Sequence, residues 1–482
     1  MASISNPEPI VIADFSSGMI DEFAVAKALM PRNAVLKAIN CVFNRPRGAI
    51  AQRNGTTLLG STVSSGNTAL GLHDFRSTTG SAHRLFAAFN GSIFSYDGVG
   101  WGTAITGLST SKTRFITFLD RCVAMNGSQV RSWNGSSFLS TSDSVTDIDN
   151  WPITKFATLI NGRVLAAGNS SNPDLAYLSS IVSTSDTISW TSGNKTERVF
   201  PNDGSGGITS VTGNGRVALI FKQRGLYRYD GDSLQRVGFI GTPSHESVVT
   251  DDNGITYFFG QGANGVGFYR TQGGQIEKIS RPIQRWVDAI AGSFYDDVAA
   301  YTDGQIIEWS VGSITIDGLT YSNASFVYFI SDGTWAVFNR ADSFRVFSQY
   351  IDSNSNITVV GADTDGAVQT INSGSTDNTA PINSEVEFLP VLFSSRGRSK
   401  FVTELVTLSK DYQGLAISGV MDSREYQEIG SLVEKDQRFQ NLPYLRGHEL
   451  FLKIVASNSG VPWVFEGFEF PETSVHDEGY TL

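Results

Sequence analysis

Short runs of alternating apolar and polar residues, each ended by a tight turn, recur along most of this 482-residue chain. Residues 84–89, 114–118, 216–221 and 255–259 are such runs, and their β-branched and aromatic content predicts strands. Asn-Gly and Asp-Gly pairs stand at many of the breaks between runs. These pairs favour two-residue hairpin turns, because Asn, Asp and Gly tolerate positive φ. The pattern therefore predicts a succession of β-hairpins.

The hairpin signals recur at nearly constant intervals. Gly91, Gly127 and Gly162 are separated by 36 and 35 residues, and Gly215 and Gly254 by 39. One four-stranded blade of a β-propeller takes ~40–50 residues. We therefore predict an all-β fold in which residues 61–380 form a propeller of about seven blades, each burying its apolar faces against its neighbours.

Both ends of the chain lack this repeat. Residues 1–60 hold a strand-like stretch at 10–13 and, after Pro31, apolar residues at roughly helical spacing, so we expect an arm with a helix there. From residue 381 the strands lengthen and charges become denser. Residues 381–482 are therefore predicted to form a β-sandwich-like module with a flexible tail from His476, and the two end segments are expected to pack together as a platform.

Composition limits the function classes. The net charge is −11, from 36 Lys+Arg against 47 Asp+Glu, which disfavours a tight nucleic-acid binder because such proteins need a basic surface. The two cysteines, Cys41 in the predicted helix and Cys122 in a predicted strand, suggest neither a disulfide framework nor a zinc site. No apolar run approaches the length of a membrane span, and the N-terminus shows no signal-peptide pattern.

Several short motifs resemble catalytic or ligand-binding motifs of other proteins, but here each is better explained as part of a turn or hairpin or is incomplete. Residues 260–265 spell G-x-G-x-x-G, but the sequence after them predicts a hairpin rather than the helix that a dinucleotide site needs. His245-Glu246 lacks the second histidine of a zinc protease motif. Residues 251–254 and 363–366 resemble parts of calcium loops and are equally explained as turns. We expect no enzymatic activity and no cofactor or metal.

Two sets of charged residues are candidate functional sites. Basic residues cluster in both end segments, and they are candidates for assembly contacts with partner subunits, the alternative being solvated loops: Arg45, Arg47, Arg53, Arg396, Arg398 and Lys400. Acidic residues of predicted turns are candidates for a channel lining, the alternative being turn caps on the outer surface: Asp143, Asp147, Asp149, Asp230 and Asp232.

The arrangement resembles the tail hub or nozzle proteins of short-tailed bacteriophages, often named packaged-DNA stabilisation proteins. The similarity lies in the opening Asp14 to Gly18 with the segments 33–40 and 47–55, in hairpins such as Asn161-Gly162-Arg163, and in the C-terminal module with Phe393 to Arg396 and Arg446-Gly447. It spans the whole chain and is architectural, since no single motif is diagnostic.

The resemblance implies a virion protein made in the host cytoplasm and assembled into the tail. It implies a hexameric ring below the portal and its adaptor, in contact with tail fibres or tailspikes, that retains packaged double-stranded DNA and conducts it at ejection. An acidic wall would repel phosphate and so suit a conduit. The alternative is a carbohydrate-binding or glycan-hydrolysing propeller that acts as a receptor-binding tail component. A generic propeller scaffold is a third hypothesis, weakened by the absence of regular WD or kelch marks.

Overall fold

Tight turns at the Asn-Gly pairs connect antiparallel strands in the computed structural model. Both residues of Asn90-Gly91 and of Asn161-Gly162 have positive φ, between 44° and 71°, as a type I′ turn requires. The structure describes residues 9–22, 29–43, 48–77, 82–118, 120–140, 147–181, 187–213, 215–263, 265–352, 354–392, 400–422, 425–442, 445–458, 460–471 and 475–477.

The first four blades follow one another along the chain, and each is a four-stranded antiparallel sheet. The strands of blade 1 are Ala69–Arg76, His83–Phe89, Ser92–Tyr96 and Trp101–Ile105; those of blade 2 are Arg114–Phe118, Arg121–Met125, Val130–Trp133 and Phe138–Leu139; those of blade 3 are Phe156–Ile160, Arg163–Ala167, Leu175–Leu178 and Lys195–Arg198; those of blade 4 are Ile208–Gly213, Ala218–Lys222, Gly225–Tyr229 and Leu234–Gly238.

Blades 5, 6 and 7 complete the series. Blade 5 consists of Val249–Thr250, Thr256–Gly262, Gly265–Thr271 and Ile276–Lys278; blade 6 of Ala299–Thr302, Ile306–Ile316, Leu319–Phe329 and Thr334–Asn339; blade 7 of Phe344–Ile351, Ile357–Asp363, Val368–Ile371 and Thr56–Leu58. The described helices are short and lie in the connections: Ile148–Asn150, His245–Ser247, Arg281–Ile283, Gln284–Asp288 and Gly292–Asp297.

The seven sheets close into a ring. His83 of blade 1 stacks on Tyr350 of blade 7 with ring centroids 5.4 Å apart, and Arg76 donates a hydrogen bond of 2.6 Å to the carbonyl of Ile351. The outer strand of blade 7, Thr56–Leu58, comes from before blade 1 and pairs with Val368–Ile371. The predicted seven-bladed propeller is confirmed, with residues 56–58 added to the predicted span.

The two ends of the chain form three further sets of paired strands, which we call the platform; the first two sets contain strands from both ends. In the first, Val35–Ile39 lies between Thr334–Asn339 of blade 6 and Ile382–Phe388, and the sheet continues through Glu449–Asn458, Leu415–Met421 and Gln427–Ser431, with Val391–Leu392 at its side. The second contains Ile10–Ile12, Cys41–Phe43, Ile50–Gln52, Val464–Phe470, Glu404–Asp411 and Arg438–Gln440. The third contains Arg446–Gly447, Lys400–Val402 and Val475–Asp477.

The helix predicted in the N-terminal arm is wrong. Val35–Ile39 is a strand whose five residues are all buried, and Cys41 lies in the next strand. A strand covered on both faces loses the two-residue alternation, so its apolar run is hard to distinguish from a buried helix. The predicted tail also starts too early, because His476 and Asp477 pair with Phe401 and Lys400.

The largest apolar core joins blades 5 and 6 to the platform. It runs from Phe268 and Trp309 through Trp335 and Val35 to Phe388 and Phe465. Phe268 lies 4.5 Å from Trp309 and 5.6 Å from Trp335 between ring centroids. Smaller clusters fill the other blade interfaces. Blade 6 and the platform therefore share one continuous core.

Candidate functional site

The antiparallel order of the strands defines two faces of the propeller. Turns between the second and third strands, and the connections from one blade to the next, lie on what we call the upper face. Turns between first and second and between third and fourth strands lie on the lower face. A cavity of about 560 Å³ opens on the upper face, and its lining includes residues at or just before the start of inner strands, among them Lys112, Arg114 and Glu246.

Ion pairs among residues that line this cavity cross the propeller axis. Arg114, at the start of blade 2, donates to Glu246, before blade 5, through Nε–Oε1 at 2.9 Å and Nη2–Oε2 at 3.2 Å. Lys112 Nζ lies 3.1 Å from Asp297 Oδ1, and Arg345 of blade 7 lies 3.2 Å from Asp297 Oδ2. Because blade 2 faces blades 5 and 6 across the ring, these contacts close the axis on the upper face. We call these residues the axial cluster: Lys112, Arg114, Glu246, Asp297 and Arg345.

Glu246 and the neighbouring His245 each keep one protonation state near neutral pH. Burial raises the pKa of Glu246, but Arg114 and Lys112 outweigh it and hold that pKa well below its ordinary value. Burial, with the positive charge of Arg114, lowers the pKa of His245 to about 4, and its Nδ1 lies 2.8 Å from Ser210 Oγ. A general acid or base works best with a pKa near the operating pH, so the cluster is suited to holding blades together rather than to proton transfer.

A second buried charged network joins the propeller to the platform. Arg53 binds Asp377 at 2.6 and 2.7 Å, and Arg340 binds Glu308 at 2.6 and 2.7 Å. The two guanidinium groups each lie 5.4 Å from the ring centroid of Phe338. All four charged side chains are 3% exposed or less, so their charges are compensated within the chain.

This network corrects one predicted site residue. The sequence makes Arg53 a candidate for assembly contacts or for a solvated loop, but its side chain is 1% exposed and is bound by Asp377 and by Asn40 Oδ1 at 2.8 Å. A buried guanidinium needs such partners because an uncompensated buried charge is costly. Arg53 is therefore a structural residue of the junction.

The other basic candidates fall mainly outside the described residues, namely Arg45, Arg47, Arg396 and Arg398. Lys400 begins the platform strand Lys400–Val402, and its backbone pairs with Gly447 and Asp477. In the sequence, Arg396 and Arg398 therefore come shortly before a platform strand, and Lys400 is its first residue.

The acidic candidates are turn residues, and the structure does not bring them together into one lining. Asp230 Oδ1 accepts hydrogen bonds from the amides of Asp232 and Ser233 in an exposed lower-face turn of blade 4. Asp147 Oδ2 accepts from the amide of Trp190, and Asp149 lies in the adjacent short helix between blades 2 and 3. Asp143 lies outside the described residues. None of the four described aspartates lies in the axial cluster.

Sequence reasoning missed Lys112, Arg114, Glu246 and Asp297. Their signal was present as charges next to the inner strands, but it becomes visible only when the blade register is known. The remaining motifs are turns as expected: residues 260–265 belong to the hairpin of Thr256–Gly262 and Gly265–Thr271, and Asp251 and Asp363 each accept two amide hydrogen bonds within their own turns.

The described part of the chain has neither a metal-binding cluster nor a membrane-spanning helix. No three His, Cys, Asp or Glu side chains within it come together as a metal site would require. No helix within it is long and apolar enough to cross a bilayer.

Comparison with known proteins gives only distant structural similarities. No protein-family model matches the chain, and no curated protein matches it. Among solved structures, it is similar to the extracellular domain of a hybrid two-component system of B. thetaiotaomicron (11% identity, TM-score 0.42, covering 80% of this chain) and spans only 48% of that protein. It is also similar to the WD40 domain of Toxoplasma gondii coronin (11%, 0.40, 70% and 87% of the two chains) and to the N-terminal domain of Nup159 (8%, 0.39, 70% and 99%).

Proposed function

We propose that this protein is a structural subunit of a short-tailed phage tail, a hub or nozzle that forms a ring below the portal and adaptor. The proposal rests on the sequence resemblance and on one structural observation: a single sheet runs from blade 6 through Val35–Ile39 into the C-terminal strands. Propeller and platform are therefore joined by backbone pairing as well as by a shared core. A subunit that must hold a fixed place in a ring benefits from such rigidity.

The axial cluster indicates where a conduit would lie. Arg114, Glu246 and Asp297 join opposite blades across the propeller axis, so duplex DNA would have no path through the individual propeller. A channel must then form between subunits, and this requires a ring. The hexamer, the portal and adaptor contacts, and the fibre or tailspike contacts are part of this proposal.

The chain's charge supports a conduit that does not bind its cargo tightly. The net charge of −11 raises the free energy of phosphate near the surface, so DNA would slide past the wall. Retention of the packaged genome would then depend on a constriction or a further plug protein.

The alternative is a carbohydrate-binding or glycan-hydrolysing propeller, and its hydrolytic form gains no support from the axial cavity. Glycosidases use one carboxylic acid with a raised pKa to protonate the leaving group. Glu246 has the opposite shift and is held by two cations.

The test is assembly of the purified full chain on an isolated portal–adaptor complex, followed by mass photometry. We expect the complex to gain the mass of six copies. A complex that gains no mass at micromolar protein would refute the hub assignment.

A further inference from the structure

Asn-Gly pairs are reactive as well as good turn formers. The backbone nitrogen that follows an asparagine can attack the side-chain carbonyl carbon, Cγ, and glycine obstructs this attack least because it has no Cβ. The chain contains eight Asn-Gly pairs, and the structure describes both residues of six of them, which begin at Asn54, Asn90, Asn126, Asn134, Asn161 and Asn253. The fold decides which of these six can react.

The side-chain carbonyl of Asn134 is held by three donors. Its Oδ1 accepts hydrogen bonds from the amide of Ser136 at 2.9 Å, from the amide of Ser137 at 2.8 Å and from Ser136 Oγ at 3.1 Å. Donors at such distances form the oxyanion holes of enzymes. Attack on Cγ places negative charge on Oδ1, so this turn is already arranged to stabilise the tetrahedral intermediate.

The attacking nitrogen is free in the same turn. The Gly135 amide donates no hydrogen bond within the described part of the chain, and a Cβ added at Gly135 would meet no heavy atom within 4 Å. Asn134 and Gly135 are both exposed, in the turn between the third and fourth strands of blade 2 on the lower face. Solvent can therefore reach the amide proton and the departing side-chain nitrogen.

The other five described pairs are restrained. In three of them the glycine nitrogen donates to a backbone carbonyl: Gly55 to Gly374 at 2.9 Å, Gly127 to Thr154 at 3.0 Å and Gly254 to Asp251 at 3.0 Å. At Asn161 the side-chain amide that would have to leave donates to the Asp230 carbonyl at 2.7 Å. Gly91 is buried, and a Cβ there would lie 2.4 Å from the Leu108 carbonyl oxygen, so its turn is closely packed.

We propose that Asn134 is a self-modification site, which closes to a succinimide and then opens to aspartate and isoaspartate. A base from solvent removes the Gly135 amide proton, and the nitrogen forms a bond to Asn134 Cγ. The Cγ–Nδ2 bond then breaks, and Nδ2 takes a proton from water and leaves as ammonia. Water opens the ring at either carbonyl. The net reaction consumes one water and releases one ammonia, without an oxidant or a reductant.

The reaction changes the outer edge of blade 2. Both products add a negative charge, and isoaspartate also lengthens the main chain by one methylene group, because Cγ becomes part of the backbone. The turn leads into Phe138–Leu139, the two-residue fourth strand, and Phe138 packs on Trp133 with ring centroids 5.3 Å apart. Isoaspartate therefore alters the turn that positions this strand.

Asn126 is a matched control within the chain, because Asn126 and Asn134 both stand in the sequence Asn-Gly-Ser. Asn126 Oδ1 also accepts two amides, from Ser128 at 3.0 Å and from Gln129 at 2.8 Å. However, Asn126 is 4% exposed, and the nitrogen of Gly127 is engaged by a carbonyl. The two sites thus share their local sequence and differ in what the fold does to the attacking nitrogen.

Peptide mass spectrometry of the full chain, incubated at mildly alkaline pH, measures both sites. We expect conversion of Asn134 to be at least about tenfold faster than that of Asn126, because reaction at Asn126 must first break a hydrogen bond of the Gly127 amide. Both aspartate and isoaspartate should appear at Asn134. In urea that unfolds the chain, the two rates should converge, since the local sequences match.

Three results would overturn the proposal: no conversion of Asn134, equal rates at the two sites in the folded chain, or a rate difference that persists in urea. The last result would place the difference in the sequence rather than in the fold. Aspartate without isoaspartate would also overturn it, because direct hydrolysis of the side-chain amide gives aspartate alone.

Discussion

Arg53 and Asp377, 324 positions apart in the chain, form a buried bidentate ion pair, with Nη1–Oδ1 at 2.7 Å and Nη2–Oδ2 at 2.6 Å. Arg53 belongs to the N-terminal arm, and Asp377 lies between the last propeller strand and the C-terminal strands. Asp377 Oδ2 also accepts the amide of Ala341, which follows blade 6. One carboxylate therefore holds together the arm, blade 6 and the start of the C-terminal module.

Asp377→Asn should destabilise the protein by about 3–5 kcal/mol, because it leaves the Arg53 charge buried without a counter-charge. The midpoint of urea denaturation measures the effect. Glu277→Gln is the control, since its exposed pair with Arg270 should contribute less than about 1 kcal/mol. Equal shifts in the two variants would contradict a special role for the junction.

Acid should destabilise the fold in two steps. Burial lowers the pKa of His73 to about 4, below the ordinary value of 6.5, so the unfolded chain binds more protons between these values and stability falls as pH drops from 6.5 to 4. Burial opposes the ionisation of Asp377 and Glu308, but their arginine partners outweigh it and lower both pKa values. Their contribution is present above about pH 4.5 and is lost below it.

His73→Phe should reduce the upper step without abolishing it, because the pKa of His245 is also lowered to about 4 and that residue still titrates in the same range. The lower step should remain. Thermal melts at intervals between pH 3 and 8 give both steps. A His73→Phe variant with the same pH dependence as wild type would show that His73 is protonated in the folded state.

Sequence reasoning reached the fold because the hairpin turns obey local rules. It could not assign each turn to its place in a blade: Asn126-Gly127 joins the second and third strands of blade 2, whereas Asn161-Gly162 joins the first and second strands of blade 3. The blades themselves start at intervals of 41 to 52 residues, so the regular 35- and 36-residue spacing was partly coincidental.

The sites were less accessible to sequence reasoning because they depend on contacts between distant residues. Nothing local distinguishes the buried Arg53 from an exposed arginine, and only the position of Asp377 reveals its role. The same holds for Val35–Ile39, which is a strand because blade 6 and residues 382–388 flank it on both sides.

Charge reversal of Arg396, Arg398 and Lys400 to Glu should abolish incorporation into tails while leaving the isolated fold intact. These residues lead into the platform strand Lys400–Val402, and a partner surface would be met by the opposite charge. Incorporation is measured by the protein content of purified particles. Reversal of the exposed propeller residues Lys195, Arg224 and Arg228 is the control and should be tolerated. Normal incorporation of the first variant would mean that its cluster is a solvated loop.

The isolated protein should bind duplex DNA more weakly than about 1 μM at physiological salt, because its net charge repels phosphate. Fluorescence anisotropy across a salt series measures this. Sub-micromolar affinity that falls steeply with salt would show a basic groove and would refute the conduit interpretation of the charge.

Cryo-electron microscopy of the full chain assembled on a portal–adaptor complex tests the central claim most directly. We predict six copies in a ring, with each propeller axis closed by Arg114 and Glu246 and the open channel between subunits. Monomers without a ring, or DNA density along a propeller axis, would contradict the account.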